Sequence, residues 1–73
     1  MDDEATRAGS EWAIDVRAFL VADGRQAEGG WPGTMTEARA RADSLSEGTL
    51  SGEERHRLGR IVYAAARAEW AHR

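Results

Sequence analysis

The chain has no cysteine, no lysine and no asparagine, a single proline, and no apolar run longer than the six residues from Ile61 to Ala66. Without cysteine there is no disulfide, no thiol nucleophile and no zinc site built on thiolates. The apolar run is far below the roughly 18 residues that a membrane span needs. The acidic start Met1-Asp2-Asp3-Glu4 lacks the positive charge that opens a secretory signal. A soluble, cytoplasmic protein with no membrane association is expected. All ten basic residues are arginine, a bias associated with GC-rich bacterial or phage genomes.

The 73 residues are read as a single small helical domain, with residues 1–9 as a flexible acidic N-terminus. A core of this size supplies only about 3–5 kcal/mol of net stability, so homodimerisation is the simplest further source. Net charge is −3, unevenly placed: residues 1–36 hold seven acids and three arginines, residues 37–73 six acids and seven arginines. Neither half is a strong polyelectrolyte, so charge alone does not imply tight binding to nucleic acid.

Three helical patterns are separated by glycine-marked turns. Ser10 is placed to cap a first helix running to about Ala22, with Gly24 to end it. Its stripe of Trp12, Ala13, Val16, Phe19 and Leu20 faces the expected core, and Ile14, Ala18 and Val21 lie on the opposite flank. An earlier start near Asp3 would continue the stripe through Ala5 and Ala8, but Gly9 argues against it. Residues 24–33 carry turn chemistry, with Trp31 held extended by the proline that follows.

Thr34 and Glu37 have capping-box spacing and open a second helix with apolar positions Met35, Ala38, Ala42 and Leu45; Gly48 suits its C′ position. Ser51 and Glu54 repeat the box and open the longest helix. There Leu58, Ile61, Val62 and Ala65 form the main stripe, widened by Tyr63, Ala66 and Trp70. Gly59 in mid-helix costs about 1 kcal/mol relative to alanine, which a close helix contact would explain. The expected fold is all-α: a three-helix, bundle-like domain in which the first helix packs on an antiparallel hairpin of the other two.

Little catalytic chemistry is available. Glu53 with His56 and Glu69 with His72 have the Glu-x-x-His spacing of metal-binding bundles, but sixteen residues on one helix put the two motifs about 24 Å apart. No metal, cofactor or enzymatic activity is expected. A helix-turn-helix reading would use Arg55, Arg57, Arg60 and Arg67 on nucleic acid. Against it, Glu53 and Glu54 occupy the start of the would-be recognition helix, and the interleaving of Glu53 with Arg57 and Glu37 with Arg41 suits a solvated face.

The expectation is therefore a small non-enzymatic regulator, adaptor or inhibitor that docks on a larger protein partner, with Trp31, Ile14, Val21 and Trp70 as contact candidates. A dimeric nucleic-acid-binding regulator is the alternative. Trp31 also has an internal role open to it, as a plug over the end of a small core.

Overall fold

The computed structural model describes residues 2–25 and 29–72; Gln26 to Glu28, within the expected turn, lie outside the described residues. It contains three helices, α1 (Asp2–Ala22), α2 (Met35–Leu45) and α3 (Gly52–Ala71), and no strand among the described residues. Packing of α3 on α1 is extensive and on α2 substantial, while α1 and α2 touch only lightly. Arg57 reaches Asp2 at one end and Arg17 reaches the Trp70 carbonyl at the other, so α1 and α3 run parallel. Gly59 abuts Arg39 and Arg55 pairs with Asp43, so α2 runs antiparallel to α3. This is the expected all-α arrangement of a first helix on a helical hairpin.

The core is thin. Five of its nine buried residues are alanines, and only Leu58 and Val62 are large side chains with no exposure. Small side chains bury little apolar area, so the helices gain stability by approaching closely.

Two glycines set those distances. At Gly9 of α1 a Cβ would collide with the Val62 carbonyl oxygen and stand 2.8 Å from the Ala65 Cβ. At Gly59 of α3 a Cβ would lie 2.6 Å from the Arg39 Cγ and 3.2 Å from its Cα. The close contact expected at Gly59 is present.

The start of α1 corrects the sequence reading. The helix begins at Asp2 and not at Ser10, residues 2–9 are its first two turns, and Ala5 and Gly9 are buried. Gly9 does weaken the helix locally, but here it admits the α3 backbone, and that contact outweighs the propensity cost. Asp2, Asp3 and Glu4 occupy the first turn, where negative charge suits the free N–H groups.

The helix ends follow local chemistry with one shift of register. Thr34 and Glu37 form both halves of a capping box. The Ser51 hydroxyl accepts the Glu54 N–H at 3.2 Å, while the Glu54 carboxylate turns to Arg57. Gly24 ends α1 in the left-handed region, φ +76°, with the Gly24 and Arg25 N–H groups returning to the Val21 and Leu20 carbonyls. The same pattern closes α2, where the Glu47 and Gly48 N–H groups donate to the Ser44 and Asp43 carbonyls. Here the C′ position belongs to Glu47, φ 57°, and not to Gly48.

A side chain in that conformation costs about 1 kcal/mol that glycine avoids. Glu47→Gly is therefore expected to stabilise the protein by about 0.5–1 kcal/mol, seen as a rise of a few degrees in Tm by circular dichroism. An unchanged or lowered Tm would mean that the strain is relieved by something other than glycine's freedom.

Candidate functional site

Three tryptophans meet where the loop before α2 returns to the bundle. Trp31 stands edge-on to Trp12, with ring centroids 4.8 Å apart at 89°, and to Trp70 at 5.4 Å and 62°. Its ring also covers Gly33, where a Cβ would collide with it. The Trp70 Nε1–H donates to the Gly29 carbonyl at 2.9 Å, pinning the loop to α3. Trp31 Nε1 is buried with no acceptor among the described residues.

Two arginines close the cluster from outside. The Arg17 guanidinium lies 4.2 Å from the Trp70 ring centroid and donates to the Trp70 carbonyl at 2.6 Å. Arg41 lies 4.5 Å over Trp12. Cations on indole faces at these distances add electrostatic attraction to the burial of the rings.

Of the four contact candidates, the structure leaves two on the surface. Trp70 is only 5% exposed and faces the core. Half-buried Trp31 packs on Trp12 and Trp70 at the margin of the core. Ile14 and Val21 are 43% and 63% exposed on the outward side of α1. Phe19, read from sequence as a core residue, is 66% exposed.

The reason for the Phe19 correction is axial. Phe19 has nearly the same angular position as Trp12 but lies about 10 Å further along α1, toward the end where α2 only begins with Met35. Periodicity reports direction around a helix and not whether a neighbour reaches that height. No local signal marked Phe19 as a surface residue.

The arginines of α3 are divided between two roles. Arg55 pairs with Asp43 at 3.2 Å and also donates to the Leu50 carbonyl. Arg57 donates to Asp2 at 3.0 Å and to Glu54 at 3.3 Å, and its hydrogen bonds to Glu54 and then to Asp2 hold its pKa above the ordinary arginine value. Arg60 and Arg67 are exposed and share the outward face of α3, seven residues apart. The four residues thus do not form one uncommitted basic surface. Among the described residues no three His, Asp or Glu side chains converge to hold a metal, and no helix is long and apolar enough to cross a membrane.

The light contact between α1 and α2 leaves an open seam. Two concavities of about 240 and 180 Å³ lie along it, lined from both helices, and a third of about 270 Å³, lined by α2 alone, adjoins them. The first two share Arg41 and Ser44, the last two Ala8, Glu11 and Leu45, so they form one continuous groove. No family model matches the chain, and neither a curated protein nor a solved structure matches it significantly.

Proposed function

We infer that this chain is a small non-enzymatic helical binding protein, a regulator, adaptor or inhibitor of the bacterial or phage type, that docks on a larger protein partner through α1. One observation carries the reading. All the exposed large apolar side chains among the described residues, Ile14, Phe19 and Val21, fall within eight residues of this one helix. Ile14 and Val21, seven residues apart, share one outward face of α1, while Phe19 lies on the other flank. Single exposed apolar residues are ordinary, and it is the Ile14 and Val21 pair on one face that suits an interaction surface. The bundle behind it holds that helix in shape, so little ordering would accompany docking. The pairing of Arg55 and Arg57 with carboxylates weighs against nucleic acid as the partner, leaving that alternative with Arg60 and Arg67.

The test is the double variant Ile14→Gln with Val21→Gln. Both positions are exposed and glutamine is a good helix former, so helicity and Tm should stay within the roughly 0.5 kcal/mol typical of surface changes. Capture of the partner by the immobilised protein from host lysate should weaken at least about tenfold, since buried apolar area is lost at both positions. Undiminished capture by a folded double variant would sink the reading.

A further inference from the structure

The groove between α1 and α2 differs in character from the rest of the surface. Its floor is small or flat, made by Ala8, Trp12 and Leu45. Its α1 rim is acidic, with Glu11 and Asp15, whereas the α2 rim carries Arg41 and Ser44; Glu37 stands beyond them, its carboxylate accepting from the Thr34 N–H and hydroxyl. Across the whole groove four carboxylates, those of Glu4, Glu11, Asp15 and Glu37, face only two guanidiniums, those of Arg7 and Arg41. Arg41 lies over the Trp12 ring.

The geometry points to one occupant: an amphipathic helix of a protein partner, with an apolar stripe of small and leucine-like residues flanked by Lys or Arg on the side that meets α1. It would lie along the seam as the fourth helix of a bundle. This rests on the reading that the chain docks on a protein, and adds the chemistry of what it accepts.

The walls are two helices, whose backbone hydrogen bonds are internal, so an extended peptide has no edge to pair with, whereas a third helix fits its ridges between them. The acidic α1 rim beside an apolar floor favours a positive flank and disfavours a negative one. The eleven residues of α2 set the usable length at about 16 Å, or three turns of the incoming helix.

The experiment uses two synthetic 18-residue helical peptides with the same Leu/Ala stripe, one with Lys and one with Glu at the flanking positions. Binding is followed by amide chemical shifts of the full chain at low salt. The Lys-flanked peptide should give saturable shifts at Ala8, Glu11, Ala40 and Ser44, with an affinity at least about tenfold above that of the Glu-flanked peptide. Glu11→Arg with Asp15→Arg, both exposed, should abolish that preference while leaving the helical circular dichroism unchanged.

Equal affinities, no saturable shifts, or shifts centred on Ile14 and Val21 would overturn the assignment. So would concentration-dependent self-association that the double reversal abolishes, because the occupant would then be a second copy. A negative peptide result with partner capture still lost in the Ile14→Gln, Val21→Gln variant would remove the groove alone. Selective groove binding with capture unaffected by that variant would remove the Ile14 and Val21 stripe instead.

Discussion

Gly9→Val is expected to leave most of the protein unfolded or molten at 25 °C, with a loss of cooperative melting and of near-ultraviolet circular dichroism. The added Cβ would meet the Val62 carbonyl oxygen and the Ala65 Cβ. Backbone cannot turn aside as a rotamer can, so α1 and α3 must move apart. Forced overpacking costs about 1–3 kcal/mol, and more where the backbone must shift. Separation would also loosen a core whose alanines act only through close approach.

A domain of this size has only about 3–5 kcal/mol in reserve. Valine at Ala18, exposed on the same helix, controls for the propensity of a β-branched residue and should shift Tm by only a few degrees. If the two variants melt together, the close contact at Gly9 is not what holds α1 on α3.

Trp31→Ala should be the second severe change, although Trp31 lies in a loop and is only half-buried. Full removal of a core tryptophan costs about 3–5 kcal/mol, and partial exposure reduces this to about 2–3 kcal/mol. The two edge-to-face contacts account for part of the loss, each worth about 0.5–1.5 kcal/mol beyond the buried area. For a chain of this length the Tm should fall by roughly 10–20 °C. Trp31→Phe should recover much of it, since it keeps an aromatic ring and removes the Nε1–H that has no acceptor among the described residues. A wild-type Tm for Trp31→Ala would show that the ring is not part of the core and return it to the list of partner contacts.

These two residues mark where local signals stop being informative. Thr34, Ser51 and Gly24 act through hydrogen bonds and backbone angles within a few residues, and each is placed in the structure as its neighbours in the chain imply. Gly59 was legible because a glycine inside a strong helical pattern needs a reason, and a close neighbour is the usual one. Gly9 carried the same signal but stood nearer a plausible helix start, so the competing Ser10 cap obscured it. At Glu47 the helix ran one residue less far than the glycine implied, and the left-handed position fell on a residue that sequence alone would not choose.

The number of helices, their approximate order and ends, and the exclusion of disulfide and thiol chemistry all follow from the chain itself. They depend on composition, on periodicity and on bonds between near neighbours. The extension of α1 to Asp2, the burial of Trp70 and the packing of half-buried Trp31 against it, the exposure of Phe19, the division of the α3 arginines and the open seam with its acidic α1 rim come from the assembled bundle. Each is set by a distance between segments remote in sequence: Gly9 to Val62, Trp31 to Trp70, Asp2 to Arg57. No single helix contains both sides of such a contact.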